Sequence, residues 1–582
     1  MNKPLQVLVP EEAFAESTLF PKNNMQLKFL LTIVITLVIS CTTQKKYDLI
    51  IRNGMIYNGS GGNPFRGDIG INKDTIAFIG DLSDANSESV IDAAGLVVAP
   101  GFINMLSWAT ESLITDGNSQ SDIRQGVTLE VMGEGDSMGP LNDSLRKMIV
   151  ESQGVFKYPV QWTTLGEYLT YLEKKGISSN VASFIGATTV RMHVVGEDNR
   201  DPTESELVRM KLLVRQAMQE GAMGVGSSLI YPPAFFAKTN ELIELCREAA
   251  HFNGMYISHI RSEGNRLYEA LEELITISKE AGIRAEVYHL KAAGRNNWKK
   301  IDSVIRRIER ARKEKLDITA DMYNYTAGAT GLTAAFPPSL QDGGFHKLRM
   351  RLQNRAIRAR MSEMMKSNPA EWENLYYAAG GAENVRLLGF RQDSLKKFLG
   401  KTLAEVAAIR NKNPEETAMD LIVQDSSRIE VAYFLMNEEN VRKQIALPWI
   451  SFGSDAGSYA NEGVFLDFNP HPRAYGNFSR LLGKYVREEK VIPLAEAIRK
   501  LTLLPATNLR VKKRGMLKEG YFADIVVFDS AAIADNATFD QPHRYASGMK
   551  DVLVNGVRVL SNGNHTTAKP GRFVKGPGFK GN

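Results

Sequence analysis

The chain has 582 residues, of which 43% are hydrophobic, and this is enough for a large core and a smaller second domain. The 71 Lys and Arg residues nearly balance the 66 Asp and Glu residues, for a net charge of +5, and no long basic run is present. A nucleic-acid-binding surface needs a concentrated basic patch, so that class of function is not expected. The two cysteines, Cys41 and Cys246, exclude a Cys-rich zinc site, and a structural disulfide is not expected because Cys41 lies in a leader-like segment.

The N-terminal segment predicts export from the cell. Lys28 precedes an apolar run over residues 29–39, and Ser40 and Cys41 follow. A short basic stretch, an apolar core of about a dozen residues and a small residue before the cleavage site are typical of a secretory signal. The apolar run is too short to span a membrane comfortably.

The end of this segment, Val38-Ile39-Ser40-Cys41, resembles a bacterial lipobox, in which the cysteine is lipidated and becomes the first residue. Residues 25–41 are therefore predicted to be a lipoprotein signal peptide, and the mature protein is expected to be periplasmic or anchored to a membrane through a lipid on Cys41. The alternative is an ordinary cleaved signal with an incidental cysteine. Met25 looks like the natural start, so that residues 1–24 would be an upstream extension without a fold.

Short apolar runs alternate with helical segments from about residue 96 to residue 325, which is the pattern of βα units and a parallel sheet. An eighth apolar run follows much later in the chain. Eight strands with helices between them favour a closed (β/α)8 barrel over an open sheet, and thus an α/β fold. The predicted strands cover residues 96–103, 128–132, 181–186, 224–229, 255–260, 284–290, 317–323 and 449–455.

The rest of the chain predicts two further parts. Residues 330–448 are too long for a loop and rich in Arg, Lys, Met and Glu, and we interpret them as a helical insertion after the seventh strand that covers the barrel mouth. Paired strands are predicted within residues 46–95 and again within residues 512–575. The two ends are expected to join into one small β-sandwich domain, which leaves residues 96–511 for the barrel and its insertion.

Three groups that can carry chemistry lie at predicted strand ends: His259 at the fifth strand, His289 at the sixth and Asp455 at the eighth. Reactive groups collect at the carboxyl ends of the strands in such a barrel. Two imidazoles on adjacent strands can share a borderline-soft cation such as Zn²⁺, and a nearby carboxylate can take a proton from the water that the metal activates. A lone strand-end His is more often a core residue, but three such groups on one barrel favour a site.

The motifs around these residues resemble the amidohydrolase superfamily, and several resemble its N-acyl-D-amino-acid deacylase (D-aminoacylase) branch. The similarity covers about residues 46 to 570, and the order and spacing of the motifs carry more weight than any one of them. They are VAPGFI at 98–103, GAMG at 221–224, SSLIY at 227–231, His259 with Arg261 and Glu263, DMYNYTAG at 321–328, Ser454 with Asp455, HPRAYG at 471–476, PA at 505–506 and RGMLKEGYFADIVVFD at 514–529.

The chain departs from the family pattern at the metal. The family's first strand ends in Pro-Gly-Phe-Ile-Asp-x-His-x-His, and both histidines bind metal; here Leu106 and Trp108 stand in their places. After the second strand the family has Gly-Asn-Cys-Gly with a cysteine ligand, whereas this chain has glycine at the cysteine position and Glu134 one residue before it. A carboxylate is an acceptable zinc ligand. We therefore predict one zinc ion per chain, held by His259, His289 and Glu134, although Glu134 could instead cap its loop.

The resemblance also implies residues around the substrate. Cationic and phenolic side chains suit the carboxylate of an N-acyl amino acid, although Arg473 could instead belong to a salt-bridge network at the barrel mouth. A family serine is replaced by Ala329, which leaves the preferred substrate side chain open. The residues expected to face substrate are Tyr231, Lys291, Tyr323 and Arg473, and those expected to support the metal ligands are Arg261 and Glu263.

Together these observations predict a zinc-dependent hydrolase of N-acyl amino acids, with N-acyl-D-amino acids implied by the resemblance. Asp455 would accept the proton of the water and return it to the departing amine. Two alternatives stay open. One is a related amidohydrolase acting on a cyclic amide or a dipeptide, and the other is a non-catalytic binding lipoprotein with a degenerate metal site.

Overall fold

The computed structural model describes residues 46–581. Within them, no helix combines the length and the apolar composition needed to cross a membrane. The predicted upstream extension at 1–24, the signal peptide at 25–41 and Cys41 lie outside the described residues. Cys246 is a free, buried thiol in a helix, Thr239–Ala250.

Both ends of the described chain contribute strands to one nine-stranded sheet. The strands are β1 (Lys46–Ile56), β2 (Phe65–Asn72), β3 (Thr75–Gly80), β4 (Asn86–Asp92), β5 (Val97–Pro100), β18 (Ile525–Phe528), β19 (Met549–Val554), β20 (Val557–Ser561) and β21 (Asn564–His565). Their order runs β21-β20-β19-β18-β5-β1-β2-β3, and β4 pairs with β1 in parallel. The link between the two ends of the chain is the antiparallel pair β18 and β5, in which Val526 lies opposite Ala99.

The middle of the chain contains two parallel sheets, and the eight predicted strand ranges overlap β5 and the strands of these sheets. The strands are β6 (Phe102–Asn104), β7 (Val127–Met132), β8 (Asn180–Ser183), β9 (Ile185–Gly186), β10 (Gly224–Ser228), β11 (Met255–His259), β12 (Arg284–Val287), β13 (Ile318–Met322) and β17 (Ile450–Phe452). One sheet has the order β6-β7-β8 and the other β9-β10-β11-β12-β13-β17. Phe184 alone separates β8 from β9, so these two strands are consecutive pieces of one run. At the opposite edges, the backbone N–H of Met105 donates to the carbonyl of Phe452 over 3.1 Å.

Helices connect these parallel strands, and their apolar faces join the main core. They are α1 (Thr110–Thr115), α2 (Gln120–Ile123), α3 (Asp143–Ser152), α4 (Leu165–Lys175), α5 (Ala187–Val194), α6 (Glu204–Glu220), α7 (Thr239–Ala250), α8 (Leu267–Ala281) and α9 (Ile301–Lys313). The longest, α6, begins at a capping box, in which Thr203 and Glu206 each bond the other's backbone.

The segment at 330–448 contains short helices and, together with the three residues before it, a three-stranded antiparallel sheet, which the sequence does not predict. The sheet consists of β14 (Ala327–Gly331), β16 (Glu430–Phe434) and β15 (Val385–Gly389). Side chains such as Phe336 and Tyr433 belong to a second buried core within this segment. The helices that follow β14 are α10 (Gly344–Arg351), α11 (Arg355–Met365), α12 (Leu375–Ala378), α13 (Leu403–Arg410), α14 (Pro414–Asp425), α15 (Glu438–Ile445), α16 (Arg473–Arg480), α17 (Leu494–Leu501) and α18 (Leu503–Asn508).

Candidate metal centre and active site

Three buried side chains meet at the carboxyl ends of the parallel strands. One carboxylate oxygen of Glu134, Oε1, lies 3.0 Å from Nδ1 of His259 and 2.9 Å from Nε2 of His289. His259 is the last residue of β11, and the other two follow the ends of β7 and β12 by two residues. The three ligand atoms lie within 4.8 Å of one another. The structure thus brings together the three residues that the sequence predicts as metal ligands.

The loop after β7 reaches the centre through two glycines on either side of Glu134. Gly133 has φ of +106° and Gly135 has φ of +75°, values that L residues rarely adopt. A Cβ atom on Gly133 would lie 2.4 Å from the carbonyl oxygen of Phe184, and one on Gly135 would lie 2.6 Å from Cβ of Ser228. This tight turn fixes the direction in which the carboxylate of Glu134 points.

His289 and Asp455 both adopt the left-handed backbone conformation, with φ of +35° and +50°. Such a conformation is uncommon for residues with a side chain and costs about 1 to 3 kcal/mol. Backbone hydrogen bonds hold each one: His289 N–H donates to Oδ1 of Asp321, and Asp455 N–H donates to the carbonyl of Leu106. The surrounding strands therefore hold two strained residues whose side chains enter the site.

The charges at the centre favour a cation. Burial and the nearby ammonium of Lys291 lower the pKa of His289, but the carboxylates of Glu134 and Glu263 outweigh them and raise it to about 10. Burial raises the pKa of Glu134, yet His289 and His259 hold it well below its ordinary value. Buried carboxylates thus recruit positive charge to this point, and a metal ion would supply it directly.

The residues present fit a zinc ion. Two imidazoles with one carboxylate form a ligand set that catalytic zinc sites use, and a fourth position stays open for water or substrate. Nε2 of His259 is buried without a hydrogen-bond partner, 3.7 Å from Oε2 of Glu263, so the protein side chains leave one imidazole nitrogen of this histidine unsatisfied. Nδ1 of His289 lies 3.0 Å from Oε1 of Glu263, the position of a carboxylate that orients a metal-bound histidine.

Asp455 lies beside this cluster with a partner on each carboxylate oxygen. Oδ2 is 2.8 Å from Nη1 of Arg473, and Oδ1 accepts a hydrogen bond of 3.2 Å from the indole N–H of Trp108. Burial raises the pKa of Asp455, and the guanidinium of Arg473 opposes that shift without cancelling it. A carboxyl group with a raised pKa, close to a metal site, is suited to accept and return a proton.

The cations and phenols expected at the substrate take different positions. The ammonium of Lys291 lies 2.5 Å from Oε1 of Glu263 and 2.7 Å from Nδ1 of His289, on the far side of that imidazole from Glu134. The guanidinium of Arg473 stacks over the ring of Tyr323 with 4.4 Å to its centroid. The ring of Tyr231 meets His259 edge to face at 5.3 Å. Arg473 and the two tyrosines therefore border the cluster. Lys291 instead contacts the nitrogen of His289 that faces away from Glu134.

An amidohydrolase family model matches residues 89–560 of the chain. The chain belongs to the amidohydrolase family. A D-aminoacylase of Alcaligenes xylosoxydans xylosoxydans is 32% identical to it over 539 residues, which cover 92% of this chain and 99% of that relative. The resemblance to the D-aminoacylase branch, stated from the sequence motifs, is confirmed by these matches.

Two solved structures resemble this amidohydrolase over 91% of its chain and all of theirs. One is a D-aminoacylase with a binuclear metal centre, described as activated by one metal and attenuated by the second, at a TM-score of 0.75 and 29% identity. The other is an N-acyl-D-glutamate deacylase of Bordetella bronchiseptica in complex with zinc and a phosphonate mimic of the tetrahedral intermediate, at a TM-score of 0.74 and 27% identity. The mixed α/β fold of this amidohydrolase therefore matches that of the D-aminoacylase structures.

Arg261, predicted to support the metal ligands, lies elsewhere. Trp108, which the sequence marks only as the replacement of a family histidine, lies in the site. Arg261 forms its hydrogen bonds with Glu273 and with the carbonyls of Phe235 and Ala237, and none of its bonds reaches the cluster. Trp108, which the sequence identifies only as a missing histidine, donates its N–H to Oε2 of Glu134 over 3.0 Å. The signal in the sequence that could have placed Trp108 in the site is its position at the end of the first strand, two residues after Leu106, where the family has a metal-binding histidine.

The segment at 330–448 also contributes a residue that sequence analysis did not find. Oε2 of Glu373 accepts a 2.8 Å hydrogen bond from the backbone N–H of Glu263. Burial and the charge of Glu263 raise the pKa of Glu373 to about 8. The segment after the seventh strand thus contacts the loop that carries Glu263. Glu373 is one of many charged residues in this long segment, and nothing in the sequence around it indicates the contact with Glu263.

Proposed function

We propose that this protein is a metal-dependent hydrolase that cleaves the amide bond of N-acyl-D-amino acids and releases a carboxylate and a free amino acid. The observation that carries the proposal is the buried cluster of Glu134, His259 and His289 with Asp455 beside it. The similarity to D-aminoacylase and to the deacylase of N-acyl-D-glutamate runs over nine tenths of the chain and supports the same reaction.

The proposed cofactor is one zinc ion per chain. Within residues 46–581, the cluster is the one group of His, Cys, Asp and Glu side chains with metal-ligand spacing. Leu106 and Trp108 offer no ligand atoms for a second ion. When bound, zinc would polarise the acyl carbonyl and lower the pKa of a water molecule to roughly 7. Glu263 and Lys291 would keep His289 in the orientation that binding requires.

Asp455 moves the proton in this proposal. Its carboxylate takes a proton from the attacking water and then gives it to the amine nitrogen as the amide bond breaks, so one group serves first as base and then as acid. Arg473 stabilises the ionised carboxylate and Trp108 fixes its second oxygen. The left-handed backbone at Asp455 aims the side chain toward the cluster.

Arg473, Tyr323 and Tyr231 would bind the carboxylate of the substrate amino acid. Nε of Arg473 is buried without a hydrogen-bond partner, and a buried donor of this kind needs an acceptor. A substrate carboxylate would supply one, and the phenols of Tyr323, which stacks against Arg473, and of Tyr231 would orient it. Lys291 already contacts Glu263 and His289, so we assign it to the metal cluster and only indirectly to the substrate.

The finer architecture belongs to the same proposal. The bonds at both edges of the two parallel sheets support one closed (β/α)8 barrel over about residues 96–511, with the insertion at 330–448 over its mouth. The nine-stranded sheet, to which both chain ends contribute strands, supports one small β-domain made from residues 46–95 and 512–575 and joined through β5; the β-sandwich form of this domain stays a proposal. The active site would then open between the carboxyl ends of the barrel strands and the insertion.

The sequence supports export and a lipid anchor on Cys41, with the mature protein periplasmic or on a membrane. The membrane would then be a partner only through that lipid, and the substrate would be a small N-acyl amino acid from outside the cytoplasm. No nucleic-acid partner is proposed.

The proposed function is tested by assaying zinc-loaded protein against paired N-acyl-D- and N-acyl-L-amino acids with neutral, acidic and basic side chains. A cyclic amide and a dipeptide are included, and the released amine is measured. We expect hydrolysis of at least one N-acyl-D-amino acid and slower hydrolysis of its L enantiomer. Turnover of the cyclic amide or the dipeptide alone would establish the related amidohydrolase instead. Loss of zinc on dialysis with no turnover of any compound would favour a binding lipoprotein.

A further inference from the structure

The indole N–H of Trp108 is shared between two carboxylates of the proposed active site. Nε1 lies 3.0 Å from Oε2 of Glu134 and 3.2 Å from Oδ1 of Asp455. An indole offers one donor and no acceptor, so a single hydrogen serves both oxygens. These oxygens are the ones turned away from the other partners, since Oε1 of Glu134 faces the histidines and Oδ2 of Asp455 faces Arg473.

The backbone places this N–H. The backbone N–H of Trp108 donates to the carbonyl of Ala456 over 2.9 Å. The backbone N–H of the preceding residue, Ser107, donates to the carbonyl of Val131 over 2.8 Å. Val131 belongs to the strand before Glu134, and Ala456 follows Asp455. Trp108 is therefore tied to both of the segments whose carboxylates it bridges.

The exposure of the ring argues against a role in the hydrophobic core. Trp108 is 38% exposed, unlike its buried neighbours Leu106 and Ala109. The partial burial of the ring could be supplied by any large apolar side chain. The contact that distinguishes Trp108 from another large apolar residue is its N–H, which points inward at the two carboxylates.

Two carboxylates around one point attract a cation, and a divalent ion is the usual way to hold them together. In this protein the neutral indole N–H of Trp108 lies between the two carboxylates, where such an ion would otherwise bind. We propose that Trp108 is a positioning residue that joins Glu134 to Asp455 and closes the space between them to a second metal ion, so that the centre holds a single ion. This inference rests on the proposed function, because it assumes that the Glu134, His259 and His289 cluster binds the first ion.

The test is a metal titration of wild-type protein, Trp108→Phe and the control Trp298→Phe. Each protein is stripped with a chelator and dialysed to equilibrium against increasing free Zn²⁺, and bound zinc is measured by elemental analysis. Trp298 donates its indole N–H to the carbonyl of Leu435, so this control removes an indole N–H without touching either carboxylate.

Wild type and Trp298→Phe are expected to level off at one zinc per chain. Trp108→Phe is expected to bind a second zinc ion, because its two carboxylates lose the shared donor. The free-zinc concentration needed for this second ion should be at least about tenfold lower in Trp108→Phe than in wild type. Trp108→Leu, which also lacks the N–H, covers the case in which Trp108→Phe does not fold.

The outcomes separate this inference from the function on which it rests. Variants at Trp108 that stay at one zinc with the wild-type binding curve would overturn the inference and leave the proposed function standing. Wild type that readily takes two zinc ions would do the same. Wild type that binds no zinc would overturn the metal-dependent function itself, and this inference with it.

Discussion

Oδ2 of Asp455 lies 2.8 Å from Nη1 of Arg473, and both side chains are almost fully buried. A buried ion pair of this kind is sensitive to the loss of either partner, because the remaining charge is left without compensation. The pair also couples the proposed proton carrier to the proposed substrate-binding group. The carboxylate of Asp455 is therefore held by Arg473 through one oxygen and by Trp108 through the other.

Asp455→Asn tests the proton transfer. The amide keeps the shape of the side chain and an oxygen for Arg473, but it cannot take a proton at neutral pH. Turnover should fall by about 10² to 10⁴, the usual worth of a positioned acid–base group. Zinc content should be nearly unchanged, because the proposed ligands are Glu134, His259 and His289. Rate and zinc are measured on the same samples.

A surface variant, Asp540→Asn, serves as the matched control, since Asp540 is mostly exposed and pairs with Arg386, which is not among the proposed site residues. It should retain the wild-type rate. An Asp455→Asn protein that keeps its zinc and turns over substrate as fast as this control would rule out Asp455 as the proton carrier.

His259→Ala tests the metal site itself. Removing one of the two imidazoles should reduce bound zinc from close to one per chain to near zero, and activity should be lost with it. Added zinc should also stop raising the thermal unfolding midpoint, because only binding to the folded state stabilises it. The control is His251→Ala, an exposed histidine eight residues earlier. Equal zinc contents in the two variants would contradict the assignment of His259 as a ligand.

Much of the candidate metal centre could be predicted from the sequence, because strand ends are local features of the chain. His259 and His289 follow apolar runs, and parallel strands bring their carboxyl ends to the same edge. Glu134 was harder to assign, since its direction depends on the left-handed glycines on either side of it. The sequence shows these glycines but not the turn that they form.

The contacts that could not be predicted are those between segments far apart in the chain. The bond from Trp108 to Asp455 joins residues 347 positions apart, and the bond between Glu263 and Glu373 spans 110. Hydrophobic periodicity carries no information about such pairs. The antiparallel sheet of β14, β15 and β16 was missed for the same reason, because its five-residue strands pair across long helical stretches.

The third prediction concerns the proposed lipid anchor. If Cys41 is lipidated, wild-type protein expressed in a bacterium should fractionate with membranes, and Cys41→Ala should move to the soluble fraction. Cys246→Ala is the control, because Cys246 is a buried thiol in α7 and offers no site for a lipid. Wild-type protein found wholly in the soluble periplasm would remove the anchor, while the prediction of export would still hold.

The fourth prediction concerns Glu286, a buried carboxyl on β12, three residues before His289. Its oxygens accept hydrogen bonds from Thr319 at 2.5 Å, Asn508 at 2.9 Å and Ser451 at 3.4 Å. Burial raises the pKa of Glu286 to about 7, and these donors only partly offset the shift. The folded protein therefore keeps a proton on Glu286 at pH values where the unfolded chain has released it.

The sign of the pH dependence follows from this difference. Between the unfolded pKa of about 4.5 and the folded value of about 7, the folded state binds more protons, so the free energy of unfolding falls as pH rises through this window. Glu286→Gln resembles the protonated form at every pH. Relative to the variant, wild type should lose up to about 3 kcal/mol of stability between pH 4.5 and pH 8.

The measurement is urea unfolding of wild type, Glu286→Gln and an exposed control, Glu280→Gln, at several pH values in one buffer series. The amide that replaces the carboxyl of Glu286 can also contact its neighbours differently from the acid, which shifts stability by a constant amount. The slope of the difference against pH is therefore the informative quantity, since titrating groups that do not interact with Glu286 cancel between the proteins; Asp321, whose pKa is raised by burial and by the charge of Glu286, contributes to the same slope. A wild-type curve parallel to the Glu286→Gln curve over this range would show that the folded state does not retain the proton on Glu286.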